Sequence, residues 1–339
     1  MLELLLACPK GVSIHHHPPY RSIGIPLSPT TKPAAQRSNT FRAVAWMMLA
    51  LFCFCMLAVA SRELTRDMGT VQILFWRSLL GVTMMSVLLY SRGHLNRTGL
   101  RPELAPWHLL RNGAHFAGQC AWLLAIAALP LAEVFALEFT TPFWAALLAA
   151  IFMGEAMNRG RWASVVLGLV GVLVILRPGT AAINPASLIM LAGAVGFGIS
   201  VIVTRKLTLL LYGTRHAFML VLWYMTAMQC LFALVLLLPS PGLPPADAWP
   251  WMVAAAVAAL VAHYCLTRAL SYADAAIVMP IDYLRLPLIM VTAWLLYDEA
   301  VTVWLVAGSA LIVCGNAMGL YMETVRKRSA STAPGERLR

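Results

Sequence analysis

The chain has few charged residues and few polar stretches long enough to form a soluble domain. Charged side chains make up 12% of its 339 residues, and hydrophobic side chains make up 60%. Soluble domains carry about 25% charged and about 45–50% apolar residues. A protein this apolar cannot cover its own surface in water. The composition therefore excludes an ordinary soluble protein and indicates a polytopic membrane protein embedded in a lipid bilayer.

The chain also lacks the motifs of several other protein classes. Its seven cysteines form no CxxC pair, which argues against a disulfide framework and against a zinc site. It has no GxxxxGK[ST] loop, which argues against a self-contained ATP-driven pump. It has neither an HExxH motif nor a recognisable nucleophile–base pair. We therefore expect no enzymatic activity, no cofactor and no bound metal.

Basic residues outnumber acidic ones, and the formal net charge is +11. They lie in short connectors and at the two ends of the chain, without a basic face, so nucleic acid is not an expected partner. One side of the predicted topology holds only Arg62, Arg66 and Arg177, and most other Lys and Arg residues fall on the side of the termini. The positive-inside rule then predicts a protein of the cell inner (plasma) membrane with both termini cytoplasmic.

Apolar runs of about 20 residues are long enough to cross the hydrocarbon core as helices. Residues 1–40 are expected to form a disordered cytoplasmic tail, and residues 323–339 a basic cytoplasmic tail. The predicted fold class is an all-α integral membrane protein with ten transmembrane helices. The ten predicted spans are 41–61, 70–91, 106–128, 132–153, 161–177, 184–204, 216–238, 249–270, 276–296 and 300–322.

One unusual pattern occurs twice. The stretch EFTTPFWAALLAAIFMGE at 138–155 begins and ends with an acid and contains a proline, and DYLRLPLIMVTAWLLYDE at 282–299 does the same. Glu138 and Asp282 are 144 residues apart (282 − 138). The same offset separates two further pairs, which are Glu155 with Glu299 and Gly171 with Gly315. Three pairs at one offset indicate an internal repeat.

Each repeat contains five predicted spans, in residues 41–178 and 184–322. Because five is odd, the second copy enters the membrane from the opposite side, and the two halves form an inverted repeat. Inverted repeats are the recurring architecture of secondary transporters, with the substrate site at their interface. This pattern favours a secondary active transporter that works by alternating access on a small-molecule substrate.

Three segments resemble the EamA-type families of the drug/metabolite transporter superfamily. They are LPLAEVFALEFTTPFWAALLAAIFMGEAMNRGRWASVVLGLVGVLVILRPG at 129–179, ALSYADAAIVMPIDYLRLPLIMVTAWLLYDEAVTVWLVAGSALIVCGN at 269–316, and FWRSLLG at 75–81. The resemblance implies a ten-helix inner-membrane carrier that exports a small metabolite, amino acid or drug. Proton coupling and a homodimer are compatible with it. A flippase for a lipid or lipid-linked substrate has the same fold and stands as the alternative.

Ionisable side chains at membrane depth are costly, so each one is a candidate for the substrate or proton pathway. Arg77 and Glu138 are the strongest candidates, because neither has an opposite charge at helical spacing in its own span. Asp282 and Arg285 are three residues apart, and their pairing is either purely structural or part of a substrate site. The remaining candidates, His115 and His263, are either hydrogen-bonded interior residues or proton carriers.

Our hypothesis places Glu138 and Asp282 on opposite sides of a central cavity, where they bind a cationic or zwitterionic substrate or carry a proton. In this hypothesis Arg77 or Arg285 receives a carboxylate or phosphate. Three prolines are candidates for helix breaks whose freed carbonyls line the cavity, although a plain packing kink explains them equally well. These helix-break candidates are Pro142, Pro280 and Pro287.

Four further repeat residues are assigned to structure. Glu155 and Glu299 each end one span just before the next, where a helix N-terminus attracts a carboxylate, so we expect them to be cap residues between paired helices. Gly171 and Gly315 belong to the repeat motif, and Gly315 begins a GxxxG pattern typical of close helix packing.

Overall fold

The computed structural model describes residues 39–91, 104–154, 157–177, 184–210, 217–239, 242–273 and 275–332. All regular structure within these ranges is helical. A short 3-10 turn, Ala246–Ala248, precedes the ninth helix. The helices are α1 (Thr40–Asp67), α2 (Thr70–Ser91), α3 (Ala105–Ala128), α4 (Leu131–Glu138), α5 (Thr141–Met153), α6 (Arg159–Leu176), α7 (Pro185–Leu210), α8 (Ala217–Leu237), α9 (Trp249–Tyr272), α10 (Ala275–Asp282), α11 (Arg285–Tyr297) and α12 (Val303–Thr332).

The twelve helices of the described ranges make ten membrane-length segments, because α4 with α5 and α10 with α11 each form one interrupted span. Within the described ranges, eight of the ten segments are both long and apolar enough to cross a membrane. In α8 the apolar stretch Val221–Leu237 is shorter, and α3 has 24 residues but carries Arg111, His115 and Gln119. The predicted fold class, an all-α membrane protein made of two inverted halves, is confirmed.

The two halves follow the predicted offset closely. Helices α3 and α9 begin at residues 105 and 249, which differ by the same 144 residues (249 − 105). The interruption after α4, at residues 139–140, recurs after α10 at residues 283–284. Contacts between helices are symmetric as well, since α1 packs on α9 as α7 packs on α3. Two further pairs, α2 with α8 and α6 with α12, bring equivalent helices of the two halves together.

Helices α6 and α12 approach each other through glycine, as Gly171 and Gly315 show. A Cβ atom added to Gly171 would lie 2.6 Å from the Gly308 carbonyl oxygen, and one added to Gly315 would lie 2.9 Å from the Leu167 Cβ. No side chain fits at the first distance without movement of a helix. Small residues at such an interface let backbones approach in a membrane, where van der Waals packing drives helix association.

The two interrupted spans differ from our expectation for the prolines. Pro142 lies in the first turn of α5, where proline is tolerated, and Pro287 lies in the first turn of α11. Pro280 lies inside α10, before the interruption. In the first half, side chains bind the carbonyl oxygens beside the interruption. Thr140 donates to Leu137 O, Thr141 to Glu138 O, and Asn316 to Phe139 O.

The first and last helices extend past their predicted ends at residues 61 and 322. Helix α1 continues to Asp67, since Arg62 and Glu63 in its last turns have polar partners on other elements. Helix α12 continues to Thr332. Most of the predicted 1–40 tail lies outside the described residues, as does the end of the predicted 323–339 tail.

Candidate functional site

A cavity of about 430 Å³ lies between the two halves, next to both interrupted spans. Its walls come from α1, α3, α7 and α9 and from the ends of the half-helices. Five of the six ionisable candidates line it, and Pro142 does too. The residues that the discussion below uses are Phe54, Leu57, His115, Gln119, Trp122, Phe135, Glu138, Phe139, Phe197, His263, Asp282, Tyr283 and Arg285.

Arg285 joins the two acids of the repeat. Its Nη1 lies 3.5 Å from Glu138 Oε1 in the first half, and its Nη2 lies 3.3 Å from Asp282 Oδ2 in the second half. The interruptions bring both half-helix ends, and with them both acids, to one arginine. We call Glu138, Asp282 and Arg285 the ion triad. Two carboxylates and one guanidinium leave a formal charge of −1 when both acids are ionised.

Aromatic rings surround the arginine of the ion triad. The Arg285 guanidinium lies 4.6 Å from the ring centroid of Phe54 and 4.8 Å from that of Phe139. Distances of this size are typical of cation–π interactions, which gain strength where water is excluded. Trp122 adds a polar contact, because its indole Nε1 donates to Glu138 Oε2 at 2.8 Å. Sequence reasoning did not connect these aromatic residues to the arginine, since no pattern within one helix links them.

Two atoms of the ion triad have unused hydrogen-bonding capacity. Arg285 Nε and Asp282 Oδ1 are buried and have no hydrogen-bond partner within the described part of the chain. Both residues line the cavity. A buried polar atom without a partner costs about 1–3 kcal/mol, and more when the group is charged. A polar ligand or a proton at this position would reduce that cost.

The two candidate histidines face the same cavity from α3 and α9. His263 Nδ1 lies 2.8 Å from the carbonyl oxygen of Ala259. Because a carbonyl only accepts, Nδ1 carries the hydrogen and Nε2 of the neutral ring is an acceptor. His115 Nε2 lies 3.4 Å from Gln119 Nε2 and its ring packs against Phe197. Both residues are thus positioned as cavity-wall groups that are held by neighbouring atoms.

Arg77 is the one ionisable candidate that does not line the central cavity. Its guanidinium is buried and donates to Gln119 Oε1 across the α2–α3 interface. Gln119 in turn lines the central cavity, so Arg77 lies one side chain away from it. Arg77 borders a separate small cavity on the α2 and α8 side.

Glu299 binds the N-terminus of a helix in the other half and not that of the helix that follows it. Its Oε2 accepts from the backbone nitrogen of Leu131 at 2.7 Å, at the first residue of α4 in the other half. Its Oε1 pairs with Arg62 at 2.6 Å. Burial is the main cause that raises the pKa of Glu299 above the ordinary glutamate value, against the opposing effect of Leu131 and Arg62. Glu155, its counterpart in the first half, lies outside the described residues.

These contacts tie the halves together at one membrane face, which we call the Arg62 face. Arg62 also donates to Leu129 O at 2.7 Å, and Tyr297 donates to Glu63 at 2.9 Å. The structure differs at the opposite face, which we call the Arg161 face. There a second cavity of about 250 Å³, lined in part by Arg161 and Arg205, shares five wall residues with the central cavity. The second cavity therefore borders the central cavity on the side of the Arg161 face.

The chain matches the EamA-like transporter family twice, over residues 41–177 and 184–321. A riboflavin transporter from Rhizobium johnstonii is 30% identical, and the alignment covers 88% of this chain and 97% of that protein. A pseudopaline exporter from Pseudomonas aeruginosa is 26% identical, over 78% of this chain and 91% of the exporter. An S-adenosylmethionine uptake transporter from Rickettsia prowazekii is 22% identical, over 85% of this chain and 95% of that transporter.

A solved crystal structure shares the fold. It aligns with a TM-score of 0.57 at 18% identity, over 86% of this chain and 99% of the other. The two family matches together span both halves and nearly all the described helices. The match, the inverted repeat and the named relatives agree with the resemblance seen in the sequence. This chain belongs to the EamA-like transporter family, which places it in the drug/metabolite transporter superfamily.

Proposed function

We propose that this protein is a secondary transporter that carries a small polar metabolite with a planar aromatic ring through the central cavity. The observation that carries the proposal is the composition of the cavity wall, which combines aromatic rings with the ion triad. Phe197, Trp122 and Tyr283 line it together with the phenylalanines around Arg285. Planar rings stack favourably on such side chains. Charged and hydrogen-bonding groups in the same wall suit the polar part of the ligand.

Riboflavin is the first compound to test. Its ring system is planar, heteroaromatic and rich in carbonyl oxygens, and its sugar-alcohol chain is polar. Three relatives that are 25–30% identical to this chain are named riboflavin transporters. The relatives' names favour a water-soluble metabolite over the lipid substrate of the flippase alternative.

We further propose that the ion triad couples transport to protons. A proton on Glu138 or Asp282 would neutralise the formal charge of −1 and release Arg285 from one partner. Arg285 could then reorient during the exchange between the two conformations, because the triad joins the two halves. The expectation of export rests on family resemblance alone, since the relatives are named both as an exporter and as uptake transporters.

The distribution of basic residues supports a cytoplasmic position for the Arg161 face. With that orientation, the contacts at the Arg62 face close the extracellular side and the second cavity borders the central cavity on the cytoplasmic side. We therefore propose that the structure is an inward-facing state, and that the inverted halves exchange their conformations to form the outward-facing state.

Counterflow of labelled riboflavin in proteoliposomes tests the proposal. We would compare the wild type with Glu138→Gln and Asp282→Asn. The matched control is Glu133→Gln, because Glu133 lies on α4 but pairs with Ser187, and it does not line the central cavity. S-adenosylmethionine, nucleosides and amino acids complete the panel of labelled compounds.

If the acids carry protons, the two variants retain counterflow but lose accumulation driven by a pH gradient, and the control retains both. If the acids bind the substrate, counterflow falls at least tenfold in both variants. If every activity survives in both variants, the ion triad has a structural role and the coupling proposal is wrong. If the wild type exchanges another compound but not riboflavin, the substrate proposal is wrong.

A further inference from the structure

A small cavity of about 40 Å³ lies beside the central cavity, and its walls come from α1, α2, α3, α8 and α9. Leu57, Gln119 and His263 line both cavities, so the two cavities border each other at these side chains. Water occupies about 30 Å³ in the liquid. The small cavity therefore has room for one small ion or for the tip of a larger ligand in the central cavity.

Hydrogen-bond donors without partners collect at this cavity. Arg77, Ser78 and Gln229 line it, and they are 5%, 3% and 3% exposed. Arg77 Nη1, Ser78 Oγ and Gln229 Nε2 are all buried and have no hydrogen-bond partner among the described residues. Two of these three groups can only donate, and the third, a hydroxyl, can donate or accept. All three residues line this cavity, and no acidic side chain lines it.

Negative charge is the missing component at this cavity. A buried guanidinium without an ionised partner carries a desolvation cost that a neutral acceptor offsets only in part. Gln119 supplies one neutral oxygen to Arg77. A single water could accept from two of the unpartnered donors, but it would leave the positive charge uncompensated. An anionic oxygen, or a pair of strongly polarised carbonyl oxygens, satisfies the donors and also reduces the charge.

We propose that Arg77, Ser78 and Gln229 form an acceptor subsite, which binds a carboxylate or an imide-type carbonyl edge of the transported substrate. The aromatic ring of the substrate occupies the central cavity, and its oxygen-bearing edge passes between Gln119 and His263 into the subsite. The role in substrate binding rests on the proposed transport function. The anion affinity of the subsite does not, because it depends only on the donors that line the small cavity.

Formate is a suitable probe for the subsite, because it fits the small cavity and presents two anionic oxygens. We would measure the unfolding midpoint of the purified full-length protein in sodium formate and in sodium gluconate at equal ionic strength. A ligand that binds only the folded state raises this midpoint in a saturable manner. We expect formate at ten times its Kd to raise it by about 2 °C, and gluconate, which is too large to enter, to leave it unchanged.

Variants locate the effect. Arg77→Gln and Gln229→Met are expected to abolish the shift of the unfolding midpoint by formate. If Arg77→Gln does not fold, Gln229→Met still tests the subsite. Arg111→Gln is the matched control, because Arg111 is also buried but bonds to Asn112 and Thr204 and lines neither cavity. This control should retain the full shift. The absence of a formate shift in the wild type, or a shift that survives in both subsite variants, would overturn the proposal.

Competition links the subsite to the substrate. If riboflavin binds as proposed, saturating formate should weaken riboflavin binding by at least threefold in the wild type and in Arg111→Gln, with no effect in Gln229→Met. Unchanged riboflavin affinity in formate would overturn the role of the subsite in substrate binding. A protein that binds formate at this subsite but does not bind riboflavin would refute the riboflavin proposal and leave the anion subsite established.

Discussion

Replacing Gly171 with alanine should destabilise the protein, although alanine is the better helix former. Gly171 lies within α6 at its contact with α12, and an added Cβ would lie 2.6 Å from Gly308 O and 2.7 Å from Ile312 Cγ1. The first of these atoms belongs to the backbone, so it cannot rotate away as a side chain can. Relief of the contact therefore requires α6 and α12 to move apart along part of their interface.

The magnitude follows from two opposing terms. Overpacking of a close interface typically costs about 1–3 kcal/mol. The change from glycine to alanine inside a helix contributes about 1 kcal/mol in the opposite direction. We therefore expect a net loss of about 0–2 kcal/mol for Gly171→Ala. The cost of the contact alone is better estimated by comparison with a second glycine-to-alanine variant, which gains helix propensity but creates no such contact.

Gly113→Ala provides that control. Gly113 lies inside α3, and among the described residues no neighbouring atom would come within 4 Å of its added Cβ. This control should be neutral or stabilised by up to about 1 kcal/mol. Unfolding of both variants with increasing SDS in mixed micelles measures the difference, which we expect to be about 1–3 kcal/mol. Equal unfolding curves for the two variants would refute the close approach of α6 and α12.

Three further outcomes are expected. Because its pKa is raised in the fold, Glu299 binds its proton more tightly in the folded than in the unfolded state. The stability of the wild type relative to Glu299→Gln should therefore fall as pH rises from the ordinary glutamate pKa through the raised pKa. Parallel pH profiles of stability for the two proteins would contradict this. Asn316→Leu leaves the Phe139 carbonyl without its hydrogen-bond donor and should lower the free energy of unfolding by about 1–3 kcal/mol in the SDS assay. An unchanged unfolding midpoint would show that this hydrogen bond contributes little to stability. Trp122→Phe keeps an aromatic ring but removes the hydrogen bond to Glu138. It should therefore impair accumulation driven by a pH gradient more than riboflavin binding. Loss of riboflavin binding alone would contradict the assignment of this hydrogen bond to proton coupling.

The repeat explains why the helices could be predicted well. Its offset of 144 residues was visible in three residue pairs (282 − 138 for the first), and the structure keeps that offset in the interrupted helices α4 and α10. Apolar length then marks each crossing. It is a property of one segment at a time, so a single sequence is sufficient to read it.

The partners of charged groups could not be predicted, because they lie far apart in the sequence. Arg62 and Glu299 are 237 residues apart, and Glu138 and Arg285 are 147 residues apart (285 − 138). Pairing at helical spacing finds only local contacts, such as the one between Asp282 and Arg285. For the same reason, the sequence placed the two acids of the repeat on opposite sides of the cavity, although the interruptions bring them to a single arginine.

The residues to which we assign substrate recognition break the symmetry of the repeat. At an offset of 144, Arg285 corresponds to Thr141 (285 − 144), and Trp122 corresponds to Leu266 (122 + 144). The backbone of both halves is alike, as the proposed alternating access requires, since each half would adopt the conformation of the other. A ligand in the shared cavity is not symmetric, however, and neither are the groups that line the cavity. The arginine and the indole belong to one half each and meet at Glu138, so in the proposed function the contacts that select the substrate also join the two halves that move.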